Sequence, residues 1–237
     1  MSFKAVFFDA AGTLFTSVRP IGQSYALFAK NYGMDVSERE LAQRFRICHS
    51  SSPPLAFAGV EGHRLKELER NWWKELVRNV FAPFGPFDKF DEYFSDLFEY
   101  FSRSEAWSLF DDTGETLSTL RKRGFILSVI SNFDSRLFGI LDGLGIASYF
   151  DSVLISSQAG YAKPDAGIFQ AALTRHKLSP EETLFVGDTP DADVAGAKGA
   201  GIKGVLLDPK ARQEGDFIRI QNLKEVLSLI DGEPQTE

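Results

Sequence analysis

The stretch KAVFFDAAGTLF, residues 4–15, combines a short apolar run with a single carboxylate at its end. A run of this length that is apolar at every position indicates a strand buried on both faces, as in a parallel sheet. Asp9 would then lie at the carboxyl end of the strand, where open α/β sheets place their chemistry. Gly12 permits a tight turn after the strand, and Thr13 adds a hydroxyl group beside it. The stretch therefore predicts a parallel α/β sheet with a functional edge.

The composition of the 237-residue chain limits the kind of protein it can be. Hydrophobic residues make up 43% of the chain, which is enough for a sizeable core. No apolar run approaches the roughly 18 residues of a membrane span. The formal net charge of −7 argues against nucleic acid or an anionic membrane as a partner. The single cysteine, Cys48, excludes an internal disulfide and favours a reducing, cytoplasmic location.

Two regions of the chain follow different patterns. Residues from about 21 to 101 show helical periodicity and many aromatic side chains, but no convincing strand. From Trp107 onward, strand patterns alternate with helix patterns, which is typical of a parallel sheet with right-handed crossovers. Further strands are predicted over 125–130, 153–155, 183–186 and 203–207.

The predicted fold is a three-layer αβα, Rossmann-like core with an inserted α-helical cap. The core would comprise residues 1–16 and 107–237, and the cap residues 17–106. We interpret the aromatic stripe between Trp72 and Phe110 mainly as the core of the cap. A surface that faces substrate or a second copy of the chain is the alternative, so both a monomer and a homodimer are expected possibilities.

Polar side chains occur at or just past the ends of four predicted strands, at Asp9, Ser131, Lys163 and Asp188. Because the carboxyl ends of parallel strands meet at one edge of a sheet, we expect these side chains to converge. Carboxylates gathered in one place repel each other unless a cation lies among them. Oxygen ligands without His or Cys suit Mg²⁺, which shares its coordination shell with phosphate groups. The sequence thus predicts a site for Mg²⁺ and a phosphate.

Four short motifs, in this order, resemble those of the haloacid dehalogenase (HAD) superfamily. They are DAAGTL at 9–14, VISN at 129–132, KPD at 163–165 and GDTPDAD at 187–193. The resemblance covers the whole predicted core. It implies a Mg²⁺-dependent hydrolase, in the first place a phosphatase that acts on a small phosphorylated metabolite.

The resemblance also implies a role for individual residues. Asp9 would be the nucleophile and form an aspartyl-phosphate, which splits a difficult hydrolysis into two steps. The phosphoryl group would be bound by Thr13, Ser131, Asn132 and Lys163. The Mg²⁺ ligands would be Asp9, the backbone carbonyl of Ala11, Asp188 and Asp193. For Asp193, a role in capping or stabilising its own loop is the alternative.

One position departs from the family pattern. Family phosphatases usually carry a second aspartate two residues after the nucleophile, and here that residue is Ala11. The missing carboxyl group would protonate the leaving group and then activate water, and the loss of such a group typically costs about 10²–10⁴-fold in rate. We therefore expect slow turnover of ordinary monoesters.

Two other functions stay open at this point. One is a phospho-ligand binding protein that has lost efficient turnover. The other is a dehalogenase- or phosphonatase-type hydrolase, since such members also lack the second aspartate. Asp188 argues against a dehalogenase because it would repel a carboxylate substrate. A phosphonatase needs a Schiff-base lysine in the cap, for which Lys30, Lys66 and Lys74 are unsupported candidates.

Overall fold

The computed structural model describes residues 3–232; residues 1–2 and 233–237 of the predicted core lie outside the described part of the chain. The strands, in chain order, are β1 (Ala5–Phe8), β2 (Phe15–Ser17), β3 (Trp107–Leu109), β4 (Ile126–Ser131), β5 (Ser152–Ile155), β6 (Thr183–Gly187), β7 (Lys203–Leu207) and β8 (Arg219–Ile220). Six of them form one sheet in the order β5-β4-β1-β6-β7-β8, and every neighbouring pair is parallel. The predicted Rossmann-like sheet is confirmed.

Helices flank this sheet and fill the segment between β2 and β3. In chain order they are α1 (Ile21–Asn31), α2 (Glu38–Ser51), α3 (Gly62–Phe81), α4 (Phe90–Tyr100), α5 (Thr113–Lys122), α6 (Arg136–Gly143), α7 (Ser156–Ala159), α8 (Ala166–His176), α9 (Gly196–Gly199) and α10 (Glu225–Asp231). We call the segment 17–106, which contains α1 to α4, the cap. None of the described helices has both the length and the apolar character needed to cross a membrane.

Strand β1 lies between β4 and β6, and all four of its side chains are fully buried. Side chains alternate between the two faces of a strand. Val6 and Phe8 belong to a hydrophobic core with residues of α5, α6 and α10. Ala5 and Phe7 belong to a second core with residues of α8 and α9. The sheet is therefore covered by helices on both faces, as the predicted three-layer architecture requires.

The cap has a hydrophobic core of its own that consists largely of aromatic rings. Phe81 is central to it, with its ring centroid 5.1 Å from that of Tyr93 and 6.4 Å from that of Tyr25. Leu41 and Leu76 complete the buried centre of this cluster. Much of the aromatic stripe therefore serves as cap core, as we interpreted it from the sequence.

The structure differs from the sequence prediction at short elements. Strands β2 and β3 pair antiparallel where the chain enters and leaves the cap, with Phe15 opposite Leu109 and Ser17 opposite Trp107. Each has only three residues, too few to show a strand period. The two-residue strand β8 was missed for the same reason. After β6, a π-helix over Pro190–Ala195 continues directly into α9.

Candidate active site

The carboxyl edge of the sheet brings distant residues of the chain together. Asp9 directly follows β1, and Asp188 directly follows the neighbouring strand β6. Ser131 ends β4 on the other side of β1. Lys163 lies in the loop that follows β5 and α7. The topology therefore places these residues at one edge, as the strand pattern predicted.

Three carboxylates form the centre of this edge. Oxygen atoms of Asp9, Asp188 and Asp193 all lie within 4.8 Å of one another. Burial raises the pKa of Asp188 to about 7, and the negative charges of Asp9 and Asp193 contribute to that rise. Burial likewise raises the pKa of Asp193, against the opposing effect of Lys163. An oxygen-only donor set that resists full ionisation fits a hard divalent cation such as Mg²⁺.

Lys163 supplies positive charge inside this cluster. Its Nζ donates to Asp9 Oδ1 at 2.7 Å and to Asp193 Oδ1 at 2.6 Å. Burial alone would lower the pKa of Lys163, but the two carboxylates outweigh burial and raise the pKa above its ordinary value. The lysine therefore stays protonated and partly balances the buried negative charge.

Asn132 holds the backbone of Lys163. Its Nδ2 donates to the Lys163 carbonyl at 2.9 Å, and its Oδ1 accepts from the Lys163 N–H at 2.7 Å. Both polar atoms of the amide are thus used to position the lysine. The phosphate contact expected of Asn132 stays a prediction, and positioning Lys163 is a contribution that the sequence did not indicate.

Thr13 and Ser131 differ in whether their side chains line the cavity. Ser131 lines the cavity above the carboxylates. Thr13 is fully buried and is not part of the cavity lining, and within residues 3–232 its Oγ1 has no hydrogen-bond partner. The phosphate contacts expected of these two hydroxyls also stay predictions.

Two glycines make the close approach of the carboxylates possible. Gly12 has φ of +98°, and a Cβ at this position would lie 2.4 Å from Asp188 Oδ2. A Cβ at Gly187 would lie 2.3 Å from the carboxyl carbon of Asp193. Any side chain at either position would displace a carboxylate of the cluster.

A cavity of about 540 Å³ lies between this edge and the cap. The sheet edge contributes part of the cavity lining, including Asp9, Ala11, Lys163 and Asp188. The cap contributes mainly apolar side chains, namely Ile21, Tyr25, Phe45, Trp73, Val77, Phe94, Leu97, Phe98 and Phe101, together with Ser17 and His49. These side chains were not predicted as site residues, because the helical spacing of aromatic residues does not indicate whether a given ring faces a hydrophobic core or a cavity.

Arg136 is a charged residue of the lining that the sequence analysis also missed. Its Nε donates to Asp134 Oδ1 at 2.9 Å and its Nη2 to Asp134 Oδ2 at 2.6 Å. The guanidinium lies 4.0 Å from the ring centroid of Phe98 in the cap. Trp73 Nε1 donates to the same Asp134 carboxylate. These contacts join the wall of the cavity in the core to its wall in the cap.

A buried carboxylate makes a further contact between cap and core. Glu69 of α3 is 3% exposed, and its Oε1 accepts from Ser135 N at 3.1 Å, Ser135 Oγ at 2.8 Å and Ser157 Oγ at 2.7 Å. We call this contact the Glu69 junction. Nothing in the local sequence distinguishes Glu69 from the solvated charges around it on α3.

Comparison with known proteins identifies the family to which the chain is similar. A family model described as haloacid dehalogenase-like hydrolase matches residues 3–201. The human protein named haloacid dehalogenase-like hydrolase domain-containing protein 3 is 35% identical over 221 residues, which cover 90% of this chain and 87% of the human protein. The SNFD run at 131–134 and the tryptophan pair at 72–73 are two features in which this chain resembles that subgroup.

Solved structures share the fold along nearly the whole chain. A crystal structure of a HAD phosphatase from Thermococcus onnurineus has a TM-score of 0.68 and 25% identity, and the match covers 98% of this chain and 99% of that one. The structure of a dehalogenase has a TM-score of 0.75 and 21% identity, covering 96% of this chain and 97% of that one. The family model, the human relative and the shared architecture together show that the chain belongs to the haloacid dehalogenase-like hydrolase family.

Proposed function

We propose that this chain is a Mg²⁺-dependent phosphatase that acts on a small phosphorylated molecule through an aspartyl-phosphate. The observation that carries the proposal is the cluster of Asp9, Asp188 and Asp193 oxygens within 4.8 Å, with Lys163 paired to two of them. The HAD phosphatase among the structural neighbours supports the same reaction class. In this proposal the three carboxylates and the Ala11 carbonyl would hold Mg²⁺, which would neutralise them and offset charge on the phosphoryl group.

The first half of the reaction is carried out by Asp9. Its carboxylate attacks phosphorus, a bond forms between its oxygen and phosphorus, and the ester P–O bond breaks with its electron pair on the leaving oxygen. Lys163 stabilises the charge on the transferring group, and Asn132 keeps the lysine in place. In the second half, water attacks phosphorus and Asp9 leaves as a carboxylate, which releases inorganic phosphate.

Ala11 determines which step is slow. It lines the cavity beside Asp9 but has no group that can transfer a proton. The leaving oxygen must therefore depart with little assistance, and water must attack the aspartyl-phosphate without a general base at this position. We expect the covalent intermediate to accumulate during turnover.

The test uses the full chain and 4-nitrophenyl phosphate. With Mg²⁺ we expect a burst of nitrophenolate followed by slower release of phosphate, and no release after chelation with EDTA. Mass spectrometry of acid-quenched protein should find the phosphoryl group on the peptide that contains Asp9. Absence of both the burst and the phosphorylated peptide would contradict the proposal.

The same assays separate the two alternatives. Metal-independent release of halide from a 2-haloacid, without release of phosphate from esters, would assign a dehalogenase instead. Asp188 argues against that outcome, since its carboxylate lies against Asp9 and Asp193 and would repel a carboxylate substrate. Mg²⁺-dependent binding of inorganic phosphate in calorimetry, with no turnover of any ester, would assign a binding protein.

A further inference from the structure

The wall that the cap contributes to the cavity is largely apolar. Among the described residues that line the cavity, those from the cap include no lysine or arginine. Trp73 and Phe98 line the cavity and are only partly buried, so part of each ring faces the cavity and is not covered by the hydrophobic core of the cap. The ring of Phe101 lies 5.7 Å from that of Trp107, which lies 6.1 Å from that of Phe133. A continuous aromatic wall thus runs from the cap to the core.

The arginine that lines this wall is already neutralised. Arg136 forms a two-pronged ion pair with Asp134, a carboxylate that is fully buried. The central carbon of its guanidinium lies over the ring of Phe98, 4.0 Å from the ring centroid. A second anionic group on a substrate, such as a carboxylate, would have to compete with Asp134 for this charge. The wall therefore disfavours substrates that carry a negative charge away from the phosphate.

The size of the cavity indicates how much apolar substrate it holds. A protein cavity of about 150 Å³ is large enough to bind benzene. The cavity here has about 540 Å³, which leaves room for a phosphoryl group and up to two aromatic rings. A small polyol phosphate would leave most of the aromatic wall against water.

The chemistry at Ala11 favours the same kind of substrate. Without a proton donor, the leaving oxygen departs as an anion, so the rate depends strongly on the acidity of its alcohol. A phenol has a pKa of about 10. An aliphatic alcohol is a much weaker acid, with a pKa close to that of water, about 16. A phenolate is therefore a far better leaving group at this site than an alkoxide.

We propose, on the basis of the function above, that the natural substrates are phosphate monoesters of uncharged aromatic alcohols. The aromatic wall formed by Trp73, Phe98, Phe101, Trp107 and Phe133 binds the ring system, and the carboxyl edge of the sheet receives the phosphate. The phosphorus–oxygen bond breaks with its electron pair on the phenolate, which then takes a proton from solvent.

Four esters test the proposal on the wild-type chain with Mg²⁺. They are 1-naphthyl phosphate, phenyl phosphate, benzyl phosphate and O-phosphoserine. We expect kcat/KM to fall in that order, by about 10-fold from naphthyl to phenyl, in line with the 10–200-fold typical of small apolar groups in a pocket. Benzyl phosphate has a ring but an aliphatic leaving group, so it separates the aromatic wall from leaving-group acidity.

The possible outcomes distinguish this inference from the proposed function. If none of the four esters is hydrolysed, the phosphatase proposal itself fails. If O-phosphoserine equals or exceeds the aryl esters in kcat/KM, the phosphatase proposal stands and the aromatic substrate class is wrong. If benzyl phosphate reacts as fast as phenyl phosphate, the role of leaving-group acidity is wrong.

A variant tests the neutralised arginine separately. Asp134→Asn removes the counter-charge of Arg136, so the ratio of kcat/KM for 1-naphthyl phosphate over O-phosphoserine should fall about 10-fold. Asp142→Asn, at an exposed position of the adjacent helix α6, is the matched control and should leave the ratio unchanged. An unchanged ratio in folded Asp134→Asn protein would show that Asp134 does not set this preference.

Discussion

The cavity has two halves that are built in opposite ways. The carboxyl edge of the sheet contributes buried charges that hold one another in place, as in the pair of Lys163 with Asp9 and Asp193. The cap contributes rings such as Trp73 and Phe98 that face the cavity from the other side. In the first half, position follows from strand topology, and in the second it follows from how helices pack. From this comparison we expect reactivity to reside in the sheet edge, which we call the reactive half, and selection of the substrate to reside mainly in the half that the cap contributes.

The strongest test of the reactive half is Asp9→Asn. The change keeps the shape of the side chain but removes the nucleophile, so we expect kcat to fall by about 10⁴-fold or more. Phosphate release from 4-nitrophenyl phosphate measures the effect. Asp191→Asn, an exposed aspartate close to Asp193, is the control and should keep wild-type activity. Residual activity of Asp9→Asn within 10-fold of the wild type would exclude Asp9 as the nucleophile.

Ala11→Asp should raise the rate of hydrolysis at the reactive half. Ala11 is partly exposed to the cavity, so a carboxyl group can be accommodated beside Asp9. Restoring a general acid and base should raise kcat by about 10²-fold for an alkyl ester such as benzyl phosphate. The gain in kcat/KM should be smaller for aryl esters, whose leaving groups need less help, whereas their kcat should also rise because hydrolysis of the aspartyl-phosphate regains a general base. A rate that stays the same or falls for both classes would contradict the role assigned to the missing carboxyl group.

Binding of Mg²⁺ should raise the thermal stability of the protein as well as its activity. Mg²⁺ at about 100 times its dissociation constant would add about 2.7 kcal/mol to the free energy of unfolding. For a chain of this size, that corresponds to a rise in Tm of about 5–10 °C, measurable by calorimetry with and without EDTA.

Asp188→Asn separates metal binding from general salt effects. The change relieves repulsion with Asp9 and Asp193, so the metal-free variant should have a higher Tm than the metal-free wild type. The same variant should lose the shift caused by Mg²⁺, whereas Asp191→Asn should retain it. A Mg²⁺ shift of full size in Asp188→Asn would place the cation elsewhere.

The reactive half could be predicted from sequence because each of its parts has a local signal. An apolar run followed by Asp9 or Asp188 marks a strand end, and parallel topology then brings the ends together. The cap half has no such signal, since helical spacing of aromatic residues is the same for Phe81, which is buried, and for Phe98, which faces the cavity. Arg136 acquires its role only through tertiary contacts, so no sequence pattern indicated it.

The Glu69 junction tests how the two halves are held together, and its effect is expected to be the smallest. One oxygen of Glu69 in the cap accepts three hydrogen bonds from Ser135 and Ser157 of the core, and the carboxylate is buried. Glu69→Ala removes the acceptor, which shifts the protein towards an open state in which the aromatic wall is farther from the sheet edge. The apparent affinity falls with the closed fraction, so we expect KM for 1-naphthyl phosphate to rise about 10-fold while kcat changes less.

Hydrogen exchange at the Ser135 amide gives a readout that does not depend on turnover, because this N–H donates directly to Glu69. Exchange should become faster in Glu69→Ala, and Glu69→Gln should recover part of both effects since its amide oxygen can still accept. Glu67→Ala is the matched control: Glu67 is exposed on the same helix and pairs only with Arg64 within the described chain, a surface contact worth little. If exchange and KM are the same in Glu69→Ala and Glu67→Ala, the Glu69 junction does not hold the cap closed, and the other contacts between cap and core, such as Phe57 N–H to the Ser157 carbonyl, hold it instead.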